Sequence, residues 1–366
     1  MIKVLHFVSK MDRAGQETFI MNVFKNIDRS RIQFNFLCSL PDKGDYDDEI
    51  KSLGGHIYIL PTSNENGKFS KYISEIAVIK NWLENNRDKY DVVHLHTYHA
   101  LDVWVHLEAC RRANVSKVII HSHNTNAPHP QLHKLMRWIC NRYSFTRFAC
   151  SPEAGIWMYG KRAVDSGKVT VVYNGIDVSE FKYSEETARL YKEELGVAGR
   201  TVLGHIGRFN YQKNHEFLLE VFDEYLKKDP GAVLLLIGKG ELEDVIKEKA
   251  ESLKITESVR FLGTRDDIPN LLNAMDCFVF PSHFEGLSVV LVEAQCNGLS
   301  IVANNNTASE AIISDGLYLL PLESKQEWAE KILQIAGKRT DNIVADKFDI
   351  KKTVRLLTEK YFSIVG

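Results

Sequence analysis

Short runs of β-branched and aromatic residues alternate with amphipathic stretches along nearly all 366 residues of the chain. In the first half the apolar runs are Lys3–Ser9, Phe34–Leu40, His56–Leu60, Asp91–Thr97, Lys117–His123, Arg147–Ser151 and Lys168–Tyr173. Between them lie helical patterns, beginning with Phe19/Val23 and Ile20/Phe24/Ile27, whose spacing of three or four residues puts them on one helix face. Further helices are predicted across Tyr72–Glu84, Leu101–Ala113 and Gln131–Tyr143. The second half repeats the scheme, with strands at Thr201–Ile206, Ala232–Ile237, Val259–Leu262, Cys277–Pro281, Ser300–Ala303 and Leu317–Leu320. Strands that are apolar throughout and separated by helices imply a parallel sheet covered on both faces.

Length argues for two such α/β domains, each large enough for its own core. The expected division is an N-terminal domain over 1–180, a C-terminal domain over 181–349, and a terminal helix over 350–366. Residues 178–200 are charged, weakly periodic and poor in strand formers, so the linker is expected there. Two doubly wound domains bind ligand at the carboxyl ends of their strands, which predicts a cleft between them.

Lys+Arg 46 against Asp+Glu 48 leaves a net charge of −2, so there is no global basic field for nucleic acid. No apolar run reaches the length of a membrane-spanning helix, and the apolar stretch at the start is too short for a signal peptide. Six scattered cysteines without a C-x-x-C pair indicate a reduced, cytoplasmic protein.

Three segments carry candidate chemistry. After the strand Cys277–Pro281 come Ser282-His-Phe-Glu-Gly-Leu-Ser288 and an apolar helix containing Glu293. A strand, a glycine turn and a helix start present free N–H groups to a phosphate, and Glu293, one helical turn further on, can accept both hydroxyls of a ribose. By spacing alone, Glu285 and Glu293 fit equally a helix N-terminal carboxylate and a solvated one. Gly204-His-Ile-Gly-Arg-Phe-Asn-Tyr-Gln-Lys-Asn214 presents Arg208 and Lys213 from one strand-end loop, where two cations suit a departing diphosphate. Lys10-Met-Asp-Arg-Ala-Gly-Gln-Glu17 is a glycine-containing turn that lets backbone approach a phosphate or sugar at Gly15, but it lacks a G-x-G-x-x-G fingerprint.

Together these motifs resemble glycosyltransferase family 4. Phe284-Glu-Gly followed by Glu293 resembles its E-x7-E signature, Gly207-Arg-Phe followed by Lys213 its G-R-x-x-x-x-K loop, and Asn174-Gly-Ile-Asp177 and Gly15-Gln-Glu17 its other landmarks. The chain departs from the family at Ala14-Gly15, where Gly-Gly is usual, and at Asn306-Thr-Ala-Ser-Glu310, where Gly-Gly-x-x-E is usual. The resemblance covers essentially the whole chain. It implies the GT-B fold, two Rossmann-like domains facing across a cleft, and transfer of a sugar from a nucleotide-sugar, expected to be a UDP-sugar, with retention of configuration.

The resemblance also implies the site. Arg208 and Lys213 would stabilise the diphosphate, Glu293 would hold the ribose, and Glu285 with the backbone at Gly286, Leu287 and Ser288 would contact sugar and phosphate. Gly263 and Arg265 would lie by the base, Gly15 by the phosphates, and His121, with His123 as the neighbour it could be confused with, by the sugar. A histidine in that role would respond to pH near neutrality. No cofactor and no metal are expected. Eight of the thirteen histidines fall between His94 and His133; His94/His96 and His121/His123 each share a strand face, yet no Cys or carboxylate is placed to complete a metal site. His94 and His106 read as core residues, and Asp45-Tyr-Asp47, a D-x-D pattern, reads as a solvated loop.

Between Ala109 and Pro152 there are seven cations and no Asp or Glu, and the helical pattern Gln131–Tyr143 mixes Lys134 and Arg137 with Leu132, Leu135 and Trp138. This suits either a packed helix with solvated cations or an anionic membrane surface. Because many relatives extend polyprenyl-diphosphate-linked sugars, the resemblance favours a saccharide or polyprenyl-diphosphate-linked acceptor in surface polysaccharide synthesis, met at the inner membrane face. A nucleotide-sugar epimerase on the same fold, or a non-catalytic partner subunit of a glycosyltransferase pair, are the alternatives.

Overall fold

The computed structural model describes residues 1–61, 68–97, 99–125, 129–285, 287–341, 343 and 345–366. It forms two compact units, one of Met1–Ile176 with Phe348–Gly366 and one of Asp177–Lys347.

The first unit holds a seven-stranded, all-parallel sheet: β1 (Ile2–Val8), β2 (Ile32–Cys38), β3 (His56–Ile59), β4 (Val92–Thr97), β5 (Val118–Ser122), β6 (Thr146–Ala149) and β7 (Thr170–Val171). The order is β3-β2-β1-β4-β5-β6-β7. Direction reverses between β1 and β4, the switch point where doubly wound sheets leave a crevice beyond their strand ends. Because alternate residues face opposite sides, Leu5, Phe7, Val93, Leu95 and Ile120 feed one core, while Val4, Phe34, Phe36, Val92 and Ile119 feed the other. Both faces are therefore buried, and the strands lack the polar alternation of a half-exposed sheet.

The second unit has six parallel strands, β8 (Val202–Ile206), β9 (Val233–Ile237), β10 (Val259–Gly263), β11 (Cys277–Phe280), β12 (Ile301–Asn304) and β13 (Leu317–Leu320), in the order β10-β9-β8-β11-β12-β13. Its switch point lies between β8 and β11, so the loops leaving these two strands are neighbours.

Two stretches differ from the sequence reading or extend it. The expected linker at 178–200 contains a helix, Glu185–Glu194, that belongs to the second unit. Ser184 caps it, and only Ala188 among its residues is buried. Polar contacts hold it instead: Tyr191 Oη donates to Asp267 Oδ2 at 3.0 Å, and Lys192 Nζ sits 2.8 Å from Asp276. Its sequence is dominated by charged residues, so the narrow apolar side carried by Ala188 and Tyr191 is easily overlooked in a stretch this polar.

The terminal helix, Ile350–Val365, packs on the first unit's sheet, contributing Ile350, Leu357 and Tyr361 to the core that also contains Phe34 and Phe148. The chain reaches it through a backbone bond from Ile176 N to Phe348 O at 2.8 Å. Its Tyr361 Oη lies 2.9 Å from His94 Nδ1 in the interior. His94 and His106 are both buried, as expected of core residues. Among the described residues, no helix is long and apolar enough to cross a membrane.

Candidate active site

In the second unit the site is built from the loops leaving β8 and β11. After β8 the chain turns at Gly207, where an added Cβ would lie 2.9 Å from Lys213 Cδ. The missing side chain lets the lysine stem lie across the backbone. Asn210 Oδ1 accepts from Lys213 N at 3.1 Å and so holds the short turn Tyr211–Lys213 in shape. Asn214, in the left-handed region at φ 54°, donates through Nδ2 to Pro281 O at 3.1 Å and ties this loop to the end of β11. Two more bonds close the seam: His283 N to Gln212 O at 2.8 Å, and Gln212 Nε2 to Phe284 O at 3.0 Å.

This zipper delivers Lys213 to Glu285. Their Nζ and Oε1 are 2.7 Å apart, with side chains only 14% and 9% exposed, and the ammonium also lies 4.9 Å from the Phe280 ring. Arg208 leaves the same loop but goes elsewhere. Its guanidinium is 3.1 Å from Glu241, and both side chains are largely exposed, so that pair contributes little to stability. The two cations thus share a loop, as expected, but engage different carboxylates.

Beyond Glu285, Gly286 lies outside the described residues. Leu287 is partly exposed and Ser288 buried, and the helix Val289–Cys296 begins there without a side-chain cap. Its first N–H groups receive no side-chain oxygen from the Ncap, as an anion-binding helix start requires. Glu293 sits one turn in; the residue as a whole is partly exposed, and desolvation of its carboxyl raises it to about 7. At the neighbouring strand ends, Gly263 O accepts from Gly238 N at 2.8 Å, and Arg265 is engaged by Asp267 through Nε at 2.8 Å and Nη2 at 2.5 Å. Arg265 is therefore held by a local carboxylate in a forked pair.

The first unit carries Gly15 and His121. Gly15 opens the helix Gly15–Asn26, and a Cβ added there would meet nothing within 4 Å, so internal packing does not demand glycine. His121, on β5, is fully buried, with Phe19 edge-on at 5.2 Å and the His123 ring at 4.3 Å. The direction of its shift runs against the expected response near neutrality. Desolvation, with His123 and His96 adding to it, holds His121 well below the ordinary histidine value, and the ring stays neutral. Asp45 Oδ2 accepts from Arg13 N at 3.1 Å and Tyr46 between the two aspartates is buried, so the D-x-D segment is structural.

Sequence reading assigned no role to Glu17, Glu241 or Gly238. Glu17 is buried in the first turn of the helix Gly15–Asn26; Gln16 Nε2 donates to its Oε1 at 3.2 Å, and its Oε2 has no partner among the described residues. Burial raises its carboxyl to about 7. In the sequence Glu17 stood out only as the end of the Gly15-Gln-Glu17 landmark and as an acid in a first helical turn, which the dipole alone explains. Glu241 and Gly238 carried no local signal.

The raised carboxyls make a pH prediction. Between about 4.5 and 7, folded Glu17 and Glu293 keep protons that the unfolded chain has released. Stability therefore falls as pH rises through that window, and the loss is complete above it. Glu293→Gln removes one such site and should stabilise the protein at pH 8 by on the order of 1–3 kcal/mol relative to its effect at pH 4.5. Urea unfolding at the two pH values measures this, and an equal effect at both would contradict it.

Two all-parallel sheets, each with a switch point in its strand order, are doubly wound α/β domains of the kind found in the GT-B fold. The description "Glycosyl transferases group 1" matches residues 189–344, and "Glycosyltransferase Family 4" matches residues 13–180. EpsF of Bacillus subtilis (strain 168), provisionally named a glycosyltransferase, is 34% identical over 92% of this chain and 88% of its own. The UDP-Gal:alpha-D-GlcNAc-diphosphoundecaprenol alpha-1,3-galactosyltransferase of Escherichia coli is 25% identical, covering 100% of this chain and 97% of its own. Anabaena Alr3699/HepE, solved in complex with UDP and glucose, superposes with a TM-score of 0.79 at 21% identity, covering 99% of this chain and 100% of that one. The chain belongs to glycosyltransferase family 4 and is a glycosyltransferase.

Proposed function

We propose that the protein transfers a sugar from a UDP-sugar, with retention of configuration and without a metal ion, to a saccharide or polyprenyl-diphosphate-linked acceptor in surface polysaccharide synthesis. The observation that carries this is the Lys213–Glu285 pair, 2.7 Å apart and largely buried where β8 and β11 end, beside an uncapped helix start. Lys213 and Arg208 supply positive charge to the diphosphate as the glycosidic bond breaks, the role a divalent ion plays in other transferases. Glu285 fixes the lysine and reaches the sugar. The N–H groups at Leu287 and Ser288 take phosphate oxygens, and Glu293, when ionised, accepts from the ribose hydroxyls. Gly15 leaves room for phosphate, His121 touches the sugar, and Gly263 and Arg265 border the base. The departing phosphate serves as base for an acceptor hydroxyl attacking the same face. Support for donor and acceptor comes from the relatives: the E. coli enzyme's name specifies UDP-Gal and a diphosphoundecaprenol acceptor, and Staphylococcus aureus CapH is named for capsular polysaccharide.

Thermal stabilisation by UDP against GDP, followed by product analysis with and without acceptor, tests this reading. A ligand at 100 times its Kd stabilises by about 2.7 kcal/mol, enough to rank the nucleotides. Donor conversion without acceptor would instead mean an epimerase, and no turnover with any donor a non-catalytic partner. Activity is expected to survive exhaustive EDTA treatment; loss that Mn²⁺ restores would end the metal-free proposal.

The acceptor's membrane is expected at the helix Pro130–Cys140. His133, Met136 and Cys140 face the core, whereas Leu132, Leu135 and Trp138 are exposed beside Lys134. Arg142 stacks 3.7 Å from the Trp138 ring. Arg111 and Arg112 pair with Glu108, and Lys117 donates to Val365 O, so the helix and its flank carry the cations that matter. An anionic surface attracts each by about 1 kcal/mol, and the Trp adds shallow burial. Co-sedimentation is expected with anionic but not neutral vesicles, weakening at high salt. Binding indifferent to both would leave a water-soluble acceptor.

A further inference from the structure

Five histidines gather on one face of the first unit's sheet. His6 lies on β1, His94 and His96 on β4, and His121 on β5 with His123 just beyond it; the register pairs His6 with His94 and His96 with His121. Side chains two apart share a face, so two His-x-His segments on adjacent parallel strands lie side by side. His96 is the centre of the group. Its Nε2 is 2.9 Å from His6 Nδ1, and its Nδ1 is 2.9 Å from His123 Nε2. One ring nitrogen from each of His96, His121 and His123 lies within 4.8 Å of the others.

The hydrogen bonds within the group leave many nitrogens over. His121 is fully buried, and neither of its ring nitrogens makes a well-formed hydrogen bond among the described residues, the Val172 backbone being only a weak neighbour; His123 Nδ1, His6 Nε2 and His94 Nε2 are likewise buried without a partner. A neutral imidazole has one N–H and one lone pair, so the row His6–His96–His123 occupies both nitrogens of His96 and leaves one free at each end, on His6 and His123, in addition to those of His121. Buried polar atoms left unpaired are expensive, and a packed core would place aliphatic side chains here.

The geometry points to a transition-metal site, with His96, His121 and His123 as ligands and Zn²⁺ as the ion. Tetrahedral zinc with bonds of about 2.0–2.1 Å sets its nitrogen ligands roughly 3.3 Å apart. The 2.9 Å contact of His96 with His123 and the 4.8 Å limit for the trio bracket that spacing. Three imidazoles with the fourth position open are a known zinc arrangement. A set with no carboxylate suits zinc or copper and not the hard, oxygen-seeking Mg²⁺. His123 is partly exposed and provides the side from which an ion enters. The site shares His121 with the sugar contact proposed above, but the test below reads metal rather than turnover, so either proposal can fail alone.

Untagged full-length protein is incubated with ZnCl₂ or MgCl₂, desalted, and its metal content measured; a parallel sample takes Co²⁺ for its visible spectrum. About one zinc per chain, no magnesium, and the intense absorption of four-coordinate cobalt are expected. His123→Asn, at the partly exposed ligand, should weaken zinc binding at least tenfold. No retained zinc, a weak six-coordinate cobalt spectrum, or unchanged affinity in His123→Asn would overturn the assignment. The cobalt spectrum of the unaltered chain decides the matter even if the variant folds poorly.

Discussion

Lys213→Ala is expected to lower kcat by about 10²–10³ while leaving the donor KM within a few-fold. The ammonium already has a partner before any donor arrives, Glu285 at 2.7 Å, in a position 14% exposed. Its contact with the leaving diphosphate gains strength only as negative charge develops, so its removal falls on the transition state. Arg208→Ala should act in the same direction but less, because that guanidinium is 70% exposed and shared with Glu241, where water screens it. Glu293→Ala should raise donor KM instead, since a ribose contact is equal in ground and transition states. Removing Lys213 also strands Glu285 in a buried position, which costs stability. The double variant Lys213→Ala/Glu285→Ala, measured for both melting and turnover, separates the two effects. If Lys213→Ala, Arg208→Ala and Glu293→Ala all change KM alone, the roles assigned here are wrong.

Gly238→Ala is expected to destabilise the second unit by about 2–6 kcal/mol, the sum of a left-handed strain and an overpacking penalty. Gly238 follows β9 at φ 137°, and a Cβ there would lie 2.1 Å from Gly207 O. That oxygen is backbone and cannot swing aside as a long side chain could. Relief would have to come from moving Gly207 and Arg208, or from breaking the bond from Gly238 N to Gly263 O. Either disturbs the loop that delivers Lys213, so kcat should fall in molecules that remain folded. Calorimetry should show the melting temperature lower by roughly 5–20 °C. A change of less than about 1 °C would mean that the loop yields freely, and that Gly207 is not positioned by this contact.

The first prediction rests on residues that the sequence displays and a pairing that it does not. Gly207-Arg-Phe and Phe284-Glu are legible as strand-end loops because the apolar runs before them and the helical patterns after them are local. Lys213 and Glu285 are 72 positions apart. Nothing in either loop says that the lysine will find Glu285 while Arg208 turns to Glu241. Gly238 is plainer still: one glycine after a strand is an ordinary turn residue until the Gly207 carbonyl is seen above it.

By itself the sequence determined thirteen parallel strands to within a few residues, the helices between them that carry apolar stripes, and the order of motifs that marks the family. These are properties of neighbours in the chain, set by period-two and period-3.6 burial and by turn chemistry. Only the tertiary structure decided that the charged stretch after Asp177 forms the helix Glu185–Glu194, and that the tail docks through Tyr361 on His94. It also decided that Glu17 is buried, that the partly exposed Glu293 has a desolvated carboxyl, so that both are raised toward pH 7, and that histidines from three strands form one cluster. Each of these depends on which distant surfaces meet and how much water they exclude. Desolvation and pairing energies are set by that three-dimensional environment, which no local pattern encodes.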